Sequence, residues 1–183
     1  MSHVVLVRHG RAAAAWDAHA DPGLDEVGWQ QAGFLADALQ LFGPLPLVTS
    51  PLARCRDTAT PLAERWGVEP VVDPRVGEIE SPTPDLQERG RWLREVMAGS
   101  WDDLPADLQE WRGRVIEALL DLEREDAVVV THFVAINAVV GEATGDRRVV
   151  CFAPDHCSRT EVRVEGGRLE LVELGGQART LVR

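Results

Sequence analysis

Residues 4–7, Val-Val-Leu-Val, run straight into Arg8, His9 and Gly10. Four consecutive apolar, mostly β-branched residues predict a strand buried on both faces, the kind found inside a parallel sheet. The run stops at a cation, an imidazole and a residue free to take positive φ, so two reactive side chains stand at the carboxyl edge of that sheet. Open α/β sheets bind their ligands at this edge. Taken alone, the pair reads as a satisfied core histidine beside a surface charge, because short motifs match by chance.

The pattern repeats. Residues 127–131, Ala-Val-Val-Val-Thr, form a second buried-strand run ending at His132, and apolar positions from Val134 to Ala143 then predict a helix stopped by Gly145. Between the two runs, Leu24, Val27, Gln31, Phe34, Leu35, Ala38, Leu39 and Phe42 recur at helical spacing before Gly43-Pro44. Residues 45–49 predict a short strand. Ser50-Pro51 reads as a helix start, a capping hydroxyl followed by proline at the first helical position, with Arg54 in the opening turn. A cation there opposes the helix dipole, while the outward-pointing backbone N–H groups welcome an anion.

Val71-Val72 suggests a third strand, and the proline-rich loop after it carries Glu78 and Glu80. Residues 85–124 read as helix in two or three pieces, broken near Gly99 and Pro105; Arg89, Arg91 and Arg94 could line a pocket, with a solvated face as the simpler reading. Residues 160–164 and 168–174 predict a hairpin around Gly166-Gly167. Residues 11–23, with Trp16, Asp17, His19, Asp21 and Pro22, show no clean period and read as a loop or short helix.

At 183 residues, with 45% hydrophobic and 27% charged, the chain suits one globular domain. A formal charge of −11 repels polyanions, which argues against nucleic acid as a partner. Without a bilayer-length apolar run or a leader pattern, a cytoplasmic protein with no membrane partner is expected. Cys55, Cys151 and Cys157 form no CxxC pair, so a disulfide framework is not expected. Cys151, His156 and Cys157 could ligate zinc, but no fourth ligand is evident and packing is the simpler reading.

Strand ends at Arg8-His9 and Thr131-His132, together with a helix start at 50–54, would gather two imidazoles and two guanidiniums on one sheet edge. Such a cluster repels itself when empty and suits a tetrahedral phosphoryl group, whose oxygens accept forked, charge-assisted hydrogen bonds. The same crowding favours neutral His9, and a neutral imidazole is a nucleophile.

Arg8-His9-Gly10, the run from Ser50 through Arg54 to Thr58-Ala59, the glutamate after the third strand, the strand-terminal His132 and Gly28-Trp29-Gln30-Gln31-Ala32 resemble the histidine phosphatase superfamily, also called phosphoglycerate mutase-like. The resemblance implies a three-layer α/β/α sandwich: a mostly parallel central sheet, helices on both faces and a C-terminal hairpin. It implies one domain over 1–183, with 78–112 as a lid or specificity insertion. It makes His9 the phosphoryl acceptor, Arg8, Arg54 and His132 the ligands of the phosphoryl oxygens, and Glu78 the acid, with Glu80 as the competing candidate. Neither metal nor cofactor is implied.

The implied activity is hydrolysis of a small phosphorylated metabolite. Mutase-type transfer and removal of phosphoryl groups from phosphohistidine on a protein are the alternatives. Mutases of this kind usually have a longer stretch between the acid and the second histidine. The chain departs from the family pattern at Arg11 and Ala12, at Ala15 where an asparagine helps bind phosphate, and at Phe133 where glycine is common. It also lacks the glycine-tryptophan pattern that often follows the acid.

Overall fold

In a computed structural model of the chain, residues 1–15 and 18–178 are described; Trp16 and Asp17 of the loop read above, and residues 179–183, lie outside the described residues. The sheet has six strands in the order β3-β2-β4-β1-β5-β6. Strands β1 (Ser2–Arg8), β2 (Leu47–Thr49), β3 (Val71–Val72) and β4 (Ala127–Thr131) pair in parallel. The hairpin strands β5 (Arg159–Glu165) and β6 (Arg168–Glu173) extend it antiparallel. Gly166 and Gly167 make the tight connection at φ 59° and 70°, the conformation that glycine alone adopts without cost.

Alternation along β1 and β4 sorts the core into two layers. Leu6 and Val129 point into one cluster with Val134, Ile136 and Trp111; Val7, Val128 and Val130 point into the other with Leu35, Leu39 and Leu62. Helices α1 (Glu26–Leu39) and α2 (Ala53–Trp66) therefore cover one face, and α4 (Ala106–Leu120) and α5 (Phe133–Thr144) the other. The three layers are those the resemblance implied. Helix α3 (Leu86–Met97) and a 3-10 turn at Trp101–Asp103 complete the segment between Glu78 and α4, with breaks where Gly99 and Pro105 stand. Helix α5 stops at Gly145, at φ 73°. Among the described residues no helix is long and apolar enough to cross a membrane.

One start differs from expectation. Helix α2 begins at Ala53 with Leu52 at its cap, so Ser50 is not the N-cap. Its hydroxyl still accepts from the Leu52 amide at 3.3 Å, but it also meets an imidazole at the sheet edge, and that second contact holds it back from the helix.

Two glycines of α1 have opposite reasons to be there. A Cβ on Gly28 would lie 2.2 Å from the Arg11 carbonyl oxygen, whereas one on Gly33 would meet nothing within 4 Å. Gly28 thus lets α1 press against the backbone that follows the His9 strand. Ordinarily, replacing a helical glycine with alanine stabilises by about 0.5 to 1 kcal/mol. Gly33→Ala should follow that rule in chemical denaturation, and Gly28→Ala should reverse it, destabilising by about 1 to 3 kcal/mol through overpacking. Equal gains from both would refute the close approach.

Candidate active site

Register alone brings the reactive residues together. Arg8 pairs with Thr131 and Thr49 with Val130, so β1, β4 and β2 end side by side. The ladder continues one residue further on each side, with the His9 amide on Thr131 O at 3.0 Å and the Ser50 amide on Val130 O at 3.0 Å. His9 and His132 leave adjacent strands with ring centroids 5.3 Å apart. The first turns of α2 lie beside them, and Arg54 extends its guanidinium between the two rings.

The hydrogen bonds assign the tautomers. His9 Nδ1 lies 2.8 Å from the Gly10 carbonyl oxygen, which can only accept; Nδ1 therefore carries the proton and Nε2 keeps its lone pair. Arg54 Nε donates to that Nε2 at 3.2 Å. A second guanidinium nitrogen, Nη2, donates to His132 Nδ1 at 3.2 Å, which leaves His132 Nε2–H to donate to Ser50 Oγ at 2.7 Å. Ser50 is thus a positioning group for the second imidazole. Thr58 plays a similar part for the first strand end, its Oγ1 accepting the Gly10 amide at 2.9 Å and donating to Arg54 O at 2.6 Å.

Burial explains the charge states. His9, His132 and Arg54 are 7%, 0% and 3% exposed. Loss of solvent, reinforced by the Arg54 charge, holds both imidazoles well below their ordinary value, so they are neutral near pH 7. Burial also lowers the Arg8 guanidinium to about 10, with Glu78 opposing the shift. Arg8 Nη1 donates to Pro154 O at 2.8 Å, while its Nε has no hydrogen-bond partner among the described residues. Phe133 packs beneath it, with Cζ 5.2 Å from the ring centroid, so the side chain at the departing position both fills space and faces a cation.

Glu78 joins this group. Its Oε2 is 3.7 Å from His132 Nδ1, and its Oε1 accepts the Ile79 amide at 2.9 Å. Buried Val76 and Ile79 anchor the loop on either side, and Thr131 Oγ1 donates to Val76 O at 2.6 Å, tying the loop to the end of β4. Burial raises the carboxyl above its usual range, with Arg54 pulling against the rise. Glu80 is exposed and lines a neighbouring cavity of about 550 Å³ with Arg75 and Arg89. It does not line the cavity that holds His9.

That second cavity, of about 670 Å³, is lined by Arg8, His9, Arg54 and Glu78 on its polar floor and by Leu93 and Met97 of α3. Ala15 stands in its wall, with only a methyl to offer an anion. Arg11 reaches it too, but its Nε is held by Asp25 at 2.5 Å. Of the three arginines read as a solvated face, Arg91 and Arg94 are exposed, whereas Arg89 is half-buried beside Glu80 because α3 turns that position toward the loop. Among the described residues no cluster of three His, Cys, Asp or Glu side chains could hold a metal. Cys151 meets Asn137, and His156 instead tilts toward His9, with ring centroids 6.0 Å apart. No motif in the sequence pointed to His156 at this site.

Known proteins resemble this chain. A protein of Cronobacter sakazakii named probable phosphoglycerate mutase is 30% identical over 166 residues, covering 79% of this chain and 76% of the relative. A Mycobacterium tuberculosis protein named as bifunctional is 28% identical over 160 residues, but the match covers only 43% of its length. The chain thus spans less than half of the mycobacterial relatives it matches. A solved mycobacterial glucosyl-3-phosphoglycerate phosphatase with VO3 is similar at TM-score 0.73 and 23% identity, over 94% of this chain and 98% of that one. A phosphoserine phosphatase of Entamoeba histolytica with 3-phosphoglyceric acid gives 0.75 at 21%, over 98% of each. These likenesses establish the fold. A family model described as histidine phosphatase superfamily (branch 1) matches residues 4–176, and on that span the chain belongs to this superfamily.

Proposed function

We propose that the chain is a phosphomonoesterase that hydrolyses a small phosphorylated metabolite through a phosphohistidine on His9, with no metal ion required. The observation that carries this reading is the guanidinium of Arg54 bridging the lone pairs of two neutral imidazoles at 3.2 Å each. Those donors are spent on imidazoles only while no anion is present. A phosphoryl group takes them over, and the His9 Nε2 lone pair becomes free to attack.

In the first step the His9 Nε2–P bond forms as the ester P–O bond breaks, and Glu78 gives its proton to the departing alkoxide. Arg8 and Arg54 hold the other oxygens, where the charge of the transition state spreads, and His132 joins them once its proton sits on Nδ1, its Nε2 then accepting from the Ser50 hydroxyl. In the second step Glu78, now ionised, takes a proton from water, the water oxygen bonds to phosphorus, and the N–P bond breaks. His9 and a protonated Glu78 return with inorganic phosphate released. A carboxyl raised above its usual range suits this alternation between acid and base. The guanidiniums supply the electrophilic stabilisation that a metal gives elsewhere.

In this reading, residues 78–112 act as a specificity insertion, since α3 contributes Leu93 and Met97 to the wall facing the leaving group. The names of two relatives favour one alternative, transfer of the phosphoryl group to a second hydroxyl instead of water. Product analysis separates the two: release of inorganic phosphate supports hydrolysis, and a rearranged ester without it supports transfer.

Three measurements follow from the mechanism. With EDTA present, His9→Ala should abolish turnover of a phosphomonoester panel; activity that persists removes His9 as nucleophile, and activity lost on chelation alone points to a metal hydrolase. Glu78→Gln should slow alkyl phosphates at least about tenfold more than an activated aryl phosphate, which departs without a proton. Equal losses would move the role away from Glu78.

The third concerns stability against pH. His9 and His132 have lowered values in the folded state, so below about 6.5 the unfolded chain binds more protons, and stability falls as pH drops. Glu78, raised on folding, contributes in the opposite sense: its stabilisation is present at low pH and is lost as pH rises through its folded value. Two imidazoles outweigh one carboxyl. In anion-free buffer the melting temperature should fall between pH 7.5 and 5.5, at up to about 1.4 kcal/mol per pH unit per imidazole, and Glu78→Gln should steepen the fall. A flat or rising profile would contradict the neutral-imidazole assignment.

A further inference from the structure

The cavity has one wall that this mechanism leaves unused, the turn at residues 154–158 after α5. Its ends are clamped to the first strand: Arg8 Nη1 donates to Pro154 O at 2.8 Å, the Cys157 amide to Arg8 O at 2.9 Å, and the Arg8 amide to Ser158 O at 3.3 Å. The Ser158 amide closes the turn on Asp155 O at 3.1 Å. Cys157 sits within it at φ 54°, the one non-glycine residue at positive φ among the described residues. A side chain in that region is disfavoured, and such conformations persist where the surroundings over-determine them. Here the surroundings are the same arginine that the phosphate socket uses.

This turn presents His156 to the cavity. Its ring centroid is 6.0 Å from that of His9, and its side chain is 26% exposed. Among the described residues neither ring nitrogen makes a hydrogen bond, Nδ1 lying 3.9 Å from Asp155 Oδ1, which instead accepts the His156 amide at 2.8 Å. Burial and the Arg8 charge bring the imidazole down to about 4, so near neutrality it offers one donor and one acceptor. The wall on the α3 and α5 side is apolar, made by Leu93, Met97 and Val134. Beyond Arg8 and Arg54, the cation that lines the cavity among the described residues is Arg11, already held by Asp25, while Asp155 adds a carboxylate. The chain as a whole carries −11.

We propose that His156, backed by Asp155, is a specificity-determining residue for the alcohol part of the ester, selecting a leaving group that carries a further hydrogen-bond donor, a hydroxyl or ammonium, over one that carries a second anion. This rests on the phosphatase reading and extends it to a substrate class. A polar site left unpaired rejects an alcohol that lacks the matching group, and a carboxylate beside it repels a second negative charge. The apolar wall accommodates the carbon skeleton.

The test is a comparison of kcat/KM for glycerol 1-phosphate, O-phosphoethanolamine, 3-phosphoglycerate and phenyl phosphate, on the intact chain and on His156→Ala, His156→Asn and Asp155→Asn. The intact chain should favour the first two over 3-phosphoglycerate by about tenfold or more. His156→Ala should cut the ratio of glycerol 1-phosphate to phenyl phosphate by about tenfold, chiefly through KM, and His156→Asn, which keeps a donor and an acceptor, should restore part of it. Asp155→Asn should narrow the discrimination against 3-phosphoglycerate. Both rates in each ratio come from the same folded molecules, so loss of folded protein cancels. An unchanged ratio in His156→Ala, or 3-phosphoglycerate as the preferred ester, overturns this inference while leaving the phosphatase reading standing. Failure of the intact chain to hydrolyse any of the four overturns that reading, and this inference with it.

Discussion

A guanidinium buried between two uncharged imidazoles is the constraint on which the site depends. Arg54 is withdrawn from solvent and, among the described residues, forms no ion pair; Glu78 offsets its charge only at longer range. Burying a charge on such terms is costly, and the cost is not recovered by the two hydrogen bonds to ring nitrogens alone. A guanidinium so placed suits an anion, whose oxygens accept charge-assisted hydrogen bonds. Together with burial it keeps His9 and His132 neutral, while at Glu78 it pulls against the burial that raises the carboxyl. The charge states of both imidazoles reflect one electrostatic decision, a buried guanidinium at the second residue of α2.

That decision is realised by sheet register. Because β1, β4 and β2 are parallel and end level with one another, the residues that follow each strand emerge at one edge without any long loop having to search for them. Side chains of small size do the fine placement. Ser50 orients His132, Thr58 holds the Gly10 amide, and Thr131 fastens the loop that carries Glu78. Gly28 lets α1 press on the backbone beyond Gly10, so the loop after His9 is supported by a helix and not by solvent. Helix α3 and the turn at 154–158 supply the rest of the cavity wall.

Much of this was legible before any coordinates. Continuous β-branched runs ending at Arg8 and Thr131 announce buried parallel strands, since only a strand covered on both faces tolerates them. Helix α5 and the hairpin glycines were equally plain. The misreading of Ser50 has a physical cause: a hydroxyl before proline has the chemistry of a helix cap, and only the tertiary partner, His132, shows that it serves the sheet edge as well. The sequence alone does not orient Glu78 against Glu80, because an irregular loop has no period; with Val76 and Ile79 buried, Glu78 lines the cavity of His9 and Glu80 does not. His156 was invisible as a cavity residue for a related reason. Its turn depends on Cys157 in a backbone conformation that sequence patterns assign to glycine.

Phosphoryl transfer through His9 predicts a covalent adduct at one residue. Rapid quenching of the protein during turnover of a phosphomonoester, followed by peptide mass spectrometry under alkaline conditions, should find one added phosphoryl group on the peptide containing His9, stable to base and lost in mild acid. An adduct on Ser50, His132 or His156, or turnover that proceeds with no adduct on His9 at any quench time, would contradict it.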